Sequence, residues 1–211
     1  LVQLEFLTNY WSFILASVAL TLLPGPDLVF VIIQSVSNGA KIGFSIAIGL
    51  VSGLIIHTTL AATGLSIVIS QSVWAMKGIQ YAGAAYLFYL AFQAAKSKSS
   101  PISTKDDAQV SPSFWKRWKV GFFMNVLNPK VSLFFIAFFP QFILPQSELS
   151  VAVQMVFLGG IFMTQAILIF GIVCLLAAKL TPFLRSDRFW KYTKWANVSV
   201  MTILGLGLLM G

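Results

Sequence analysis

Apolar residues run through this chain in long blocks, and the informative positions are those where polar residues cut in. Six blocks reach or exceed the roughly 20 residues that a spanning helix needs: 6–35, 42–70, 74–95, 114–143, 149–178 and 189–210. Several are longer than the minimum, so tilt, kinks or interfacial ends are expected. Two are interrupted, the first by PGPD at 24–27 and the fourth by NVLNPK at 125–130. Proline removes a backbone donor and clashes with the preceding turn, which costs about 3 kcal/mol in a helix interior. Aspartate at the centre of a spanning helix adds roughly 2.5–3.5 kcal/mol on insertion scales. The pattern predicts an all-α polytopic membrane protein of six transmembrane helices, the first and fourth broken.

Composition supports that solvent. The chain is 58% hydrophobic and 9% charged, against about 25% charged in soluble domains, too few charges to cover a water-facing globule. The N-terminal stretch lacks the positive region of a secretory leader and its apolar run is too long, so no cleavable leader is expected. A single cysteine, Cys174, excludes an intrachain disulfide.

The cations sort by connection. Lys41 lies in the first; Lys96, Lys98, Lys105, Lys116, Arg117 and Lys119 in the third; Lys179, Arg185, Arg188, Lys191 and Lys194 in the fifth. The second offers only Lys77 and the fourth none. Basic loops stay cytoplasmic, so both termini are expected outside. The net charge of +8 therefore reads as topology, with a side role towards anionic lipid, and not as a nucleic-acid surface. The third connection, 96–113, is rich in Ser, Pro, Lys and Asp and reads as a linker between a first three-helix group, 1–95, and a second, 114–211. Three spans are an odd number, so two groups of one fold form inverted repeats.

Proline-interrupted spans at corresponding places in two halves point to a transporter binding site. Unwound backbone at membrane depth must line a cavity or be buried in protein, and its free amides and carbonyls can bind carboxylate and ammonium groups. Pro24, Pro26 and Pro129 set the breaks, with Gly25 among the substrate-binding candidates. Asp27 and Lys130, of opposite sign at related positions, are expected to meet between the halves. In one reading Asp27 receives a substrate ammonium or exchanges a proton while Lys130 attracts a carboxylate; in the other they form a structural pair. Asn125 and Asn128 follow Gly121 on one helix face and join the substrate candidates. His57 lies on a stripe with Gly49, Gly53 and Ala61 that allows close helix approach, and reads either as a proton relay or as a neutral hydrogen-bond partner. Gln165 and Thr164 read as packing or pathway residues, and Pro140–Gln141 as a helix end. Trp11, Trp74, Trp115, Trp118, Trp190 and Trp195 fall near span ends, as an interfacial belt does, and FWKRWK at 114–119 resembles an interfacial lead-in helix. The glycine notches suit packing within one chain or between two, which leaves a homo-oligomer open.

LPGPD in the first span, GLVSGLIIH in the second and GFFMNVLNPKVSLFFIAFFPQF in the fourth together resemble the LysE/RhtB family of bacterial amino-acid exporters, over nearly the whole chain. The resemblance implies a six-span secondary transporter of the cytoplasmic membrane that exports an amino acid or close derivative, driven by an ion gradient; protons and alternating access are the expected means. No cofactor is implied. Asn commonly follows PGP in that family, so Asp27 is a departure that leaves the coupling ion and substrate charge open. Distant relatives handle divalent cations, but one His and one Cys make a poor ligand set for soft or borderline metals. An intramembrane enzyme, with no Ser–His–Asp arrangement placed by spacing, and a scaffold or receptor, which would not need matched charged breaks, are the remaining alternatives.

Overall fold

The structure is a computed structural model that describes residues 2–65, 73–96, 113–184 and 186–210, and every regular element among them is helical. In chain order these are α1 (Val2–Leu22), α2 (Pro26–Asn38), α3 (Ala40–Leu60, widening into a π turn at Ala61–Leu65), α4 (Val73–Lys96) and α5 (Phe114–Val126). Then come α6 (Pro129–Leu133, continued by a π turn, Phe134–Phe138, and a tight 3-10 turn, Phe139–Phe142), α7 (Val151–Leu184) and α8 (Asp187–Met210). Of the expected linker, 96–113, residues 97–112 lie outside the described residues, as does Arg185.

Both expected breaks are present. The chain bends by 57° between α1 and α2 and by 48° between α5 and α6, and each bent pair is apolar enough to form one span. Ala40–Gly64, Val151–Ala177 and Asp187–Met210 are long and apolar enough on their own, which makes up to five candidate spans. The block at 74–95 does form a helix, and its 24 residues reach about 36 Å at 1.5 Å per residue. Lys77, Gln80, Gln93 and Lys96 dilute it, however, and it is not among the five.

Three local expectations shift. The first break lies at 23–25 rather than 24–27, because Pro26 takes the first position of α2 with Gly25 as its N-cap. Proline suits that position, since its missing N–H is one that no helix start can use. Asp27 thus falls in the first turn, where a helix N-terminus favours negative charge. The fifth block starts at Val151 rather than 149. Gln154 holds the preceding loop, accepting from the Leu144 N–H at 2.9 Å and donating to the Leu144 and Leu149 carbonyls at 3.2 and 2.9 Å. Residues 114–119 are no separate lead-in helix but the start of α5, docked on α3: Arg117 Nε donates to Ser45 Oγ at 2.7 Å and Trp118 Nε1 to Ser52 Oγ at 3.1 Å.

Glycine sets how closely α3 and α5 approach. A Cβ on Gly49 would collide with the Trp118 carbonyl, one on Gly121 with the Ile46 carbonyl, and one on Gly53 would lie 2.7 Å from Asn125 Oδ1. α7 packs on the other side of α3, and α4 lies along α8. The core is aromatic. Phe135 stacks on Phe139 and Phe162 with centroids 4.6 and 5.5 Å apart, and Phe13 meets Phe139 edge-on at 5.4 Å. Outward-facing apolar side chains such as Leu15, Leu168 and Leu175 remain exposed, as a lipid-facing surface requires. Trp11, Trp74, Trp115 and Trp195 are exposed as well.

Candidate functional site

Proline chemistry builds the site. In a continuous helix the Leu20 carbonyl would accept from the N–H of residue 24, but Pro24 has none. The turn at 23–25 also frees the carbonyls of Leu23 and Pro24. Buried carbonyls need partners, and these come from distant elements. Lys130 Nζ donates to the Leu20 and Leu23 carbonyls at 3.1 and 3.4 Å, and Asn197 of α8 donates from Nδ2 to the Pro24 carbonyl at 2.6 Å. Gly25 makes room, since a Cβ there would lie 3.2 Å from Lys130 Nζ.

The second break reaches the first through one side chain. Asn128 is the N-cap of α6: its Oδ1 accepts from the Lys130 N–H at 3.0 Å, with Pro129 at the first helical position. Its Nδ2 donates to Asp27 Oδ2 at 2.8 Å. One amide therefore closes a helix end and ties it to a carboxylate 101 residues away. Asp27, Asn125 and Asn128 are 6%, 5% and 5% exposed. Asp27 Oδ1 and Asn125 Oδ1 are buried with no hydrogen-bond partner among the described residues.

Asp27, Asn125 and Lys130 line one cavity between the breaks, walled by Leu50, Leu54, Val131, Phe162 and Phe170. Its volume is about 30 Å³. That exceeds the ~10–15 Å³ a water needs and falls far short of the ~300 Å³ at which small-molecule pockets begin. The site is closed in this conformation. Thr21 also lines it and accepts from Gln165 Nε2 at 2.9 Å, while Gln165 Oε1 is buried with no hydrogen-bond partner among the described residues.

Of the residues expected from sequence, Gly25, Asp27, Asn125, Asn128 and Lys130 come together here, with Pro24, Pro26 and Pro129 shaping the two helix starts. Asp27 and Lys130 share the cavity, but their hydrogen bonds run to Asn128 and to the two carbonyls, not to each other. His57 stands one layer back. Its Nε2 lies 3.3 Å from the Asn125 carbonyl and its ring stacks on Phe135 at 5.4 Å. Asn197 and Thr21 were not among the sequence candidates. A lone amide in an apolar span was the available signal for Asn197, but nothing local links it to a carbonyl 173 positions away.

Lys130→Met is expected to lower stability in detergent by about 1–3 kcal/mol, the penalty for a buried acceptor left unpaired. A thermal unfolding series on purified protein checks this; an unchanged midpoint means the carbonyls find other partners.

Two interrupted helices that meet around a buried carboxylate, an ammonium and two amides, beside three further helices long and apolar enough to span, place this chain among polytopic helical membrane proteins. It belongs to the LysE type translocator family, which it matches over residues 18–211. It is 30% identical over 207 residues to an uncharacterised membrane protein of Bacillus subtilis, covering 95% of this chain and 97% of that one. An uncharacterised membrane protein of Pseudomonas aeruginosa is 32% identical over 146 residues, 66% of each chain. The homoserine/homoserine lactone efflux protein of Salmonella typhimurium is 33% identical over 138 residues, 65% of this chain and 66% of that protein. No solved structure matches.

Proposed function

We propose that this protein is a secondary transporter that exports an amino acid or close derivative across the bacterial cytoplasmic membrane. The observation that carries the reading is the pair of ties between the two breaks: Asn128 to Asp27, and Lys130 to the Leu20 and Leu23 carbonyls. Both ties present chemistry that an amino acid can take over. Asp27 Oδ1 is a buried acceptor without a donor, suited to an ammonium. A lysine ammonium has three donors; two are used on carbonyls, and the third is available to a carboxylate. The efflux relative from Salmonella typhimurium, named for homoserine and its lactone, agrees with cargo of this size and polarity.

Loading requires the closed cavity to enlarge, and rocking of one broken-helix group against the other is the movement that does so around a fixed site. In this scheme α4 completes a sixth span, the two groups are inverted relative to each other, and both termini face outward. Asp27 is the carboxylate that exchanges a coupling proton, and His57 is its nearest relay candidate, through Asn125.

Purified protein in vesicles, tested with radiolabelled homoserine and a panel of neutral amino acids with and without an uncoupler, decides the matter. Gradient-sensitive flux of the intact amino acid is expected. Flux of none of them, flux indifferent to the gradient, or chemically altered solute overturns the reading.

A further inference from the structure

A groove that combines shape with charge lies on the outer surface between α3 and α7. Ala40 and Phe44 of α3 and Leu168, Gly171, Ile172 and Leu175 of α7 line an almost wholly apolar groove of about 510 Å³, with Lys41 at one end. Gly171 opens it: a Cβ there would meet only the rim of the Phe44 ring, 3.5 Å away. Leu168, Ile172 and Leu175 are 61%, 57% and 79% exposed, so the groove faces sideways into the bilayer.

Its charged end sits at the membrane boundary. Lys41 is in the first turn of α3, whose apolar stretch begins at Ala40, and the facing end of α7 carries the next cation along its apolar stretch, Lys179. Lys179 is one helical turn beyond Leu175 on the same face, about 6 Å farther along the axis, and it is exposed, as is Lys41. Among the described residues neither cation has a hydrogen bond or ion pair. Two exposed cations thus stand at the end of an apolar channel lined by α3 and α7.

We propose that this groove is a specific site for an anionic phospholipid, with one acyl chain along the α3–α7 channel and the headgroup phosphate between Lys41 and Lys179. Charge complementarity selects the occupant. A zwitterionic lipid fills the channel equally well but brings its own cation to the two lysines, and a second copy of this chain brings like charge to like. The inference stands apart from the cargo reading, since it needs only that α3 and α7 border lipid.

Native mass spectrometry of the full chain, released from bilayers holding equal phosphatidylglycerol and phosphatidylcholine, tests it. The wild type is expected to retain phosphatidylglycerol over phosphatidylcholine by about thirtyfold, and each of Lys41→Gln and Lys179→Gln to reduce that ratio about fivefold. The double Lys→Arg variant keeps the preference. Gly171→Phe, which fills the channel and leaves both cations, loses bound lipid of either kind while remaining monodisperse on gel filtration. Equal retention of the two lipids by the wild type overturns the proposal, as does a preference that survives the double Lys→Gln change. A dimer mass that carries no phospholipid does so too, by showing a second copy on this face.

Discussion

Asp27→Asn is expected to reduce gradient-driven export by roughly 10- to 100-fold while the protein still inserts and folds. The substitution keeps the shape of the side chain, and its carbonyl oxygen can still accept from Asn128 Nδ2, which lies 2.8 Å from Asp27 Oδ2. What is lost is the negative charge beside a buried oxygen that has no donor of its own. Hydrogen bonds to charged groups contribute about 1.5–3 kcal/mol, and each 1.4 kcal/mol is a factor of ten, which sets the range. Efflux of radiolabelled substrate from vesicles, with an imposed proton gradient and without, is the measurement. Efflux that stays both fast and gradient-dependent is the result that removes Asp27 from the coupling role.

The second large effect concerns stability and has opposite signs at two kinds of glycine. Alanine is favoured over glycine by about 1 kcal/mol in a helix interior, so Gly→Ala should stabilise wherever a methyl group has room. Gly160 in α7 has nothing within 4 Å of its would-be Cβ, and Gly160→Ala is expected to raise stability by up to about 1 kcal/mol. At Gly121 and Gly49 the obstruction is backbone on the partner helix, the Ile46 and Trp118 carbonyls. A carbonyl within a helix cannot rotate away as a side chain can, so α3 and α5 must part. Overpacking of this kind costs about 1–3 kcal/mol, and parting the helices also strains the Trp118–Ser52 and Arg117–Ser45 hydrogen bonds. Gly121→Ala and Gly49→Ala should therefore each lower the unfolding midpoint in detergent. Equal midpoints for Gly121→Ala and Gly160→Ala would show that the α3–α5 contact is looser than its geometry.

What the sequence made legible follows from how local the physics is. Both breaks could be read because proline acts on its own turn, and the residues crowded into them proved to be neighbours in space. The first boundary shifted because Pro26 does better as the first residue of a new helix than as part of the gap. The partners of Lys130 were not legible. Opposite charges suggested that it meets Asp27, with which it does share a cavity, but nothing in the pattern showed that its hydrogen bonds go to the orphaned carbonyls of Leu20 and Leu23. Asn197 was missed for the same reason, because the Pro24 carbonyl it serves is a backbone need that no side-chain pattern advertises. The weak apolarity of α4 was in plain view at Lys77, Gln80 and Gln93, where block length alone suggested a span like the others.

The two connections between the breaks differ in slack. Asn128 is pinned at Oδ1 by its own helix start, and its amide is planar, so Nδ2 moves as a rigid part of α6 and cannot follow Asp27 when the helices separate. Lys130 reaches its carbonyls on a flexible four-carbon stem and can stay tethered over a longer stroke. In the rocking movement proposed above, separation would release the carboxylate first and the ammonium later, so that an incoming solute would meet a bare acceptor while the donor side is still held to α1.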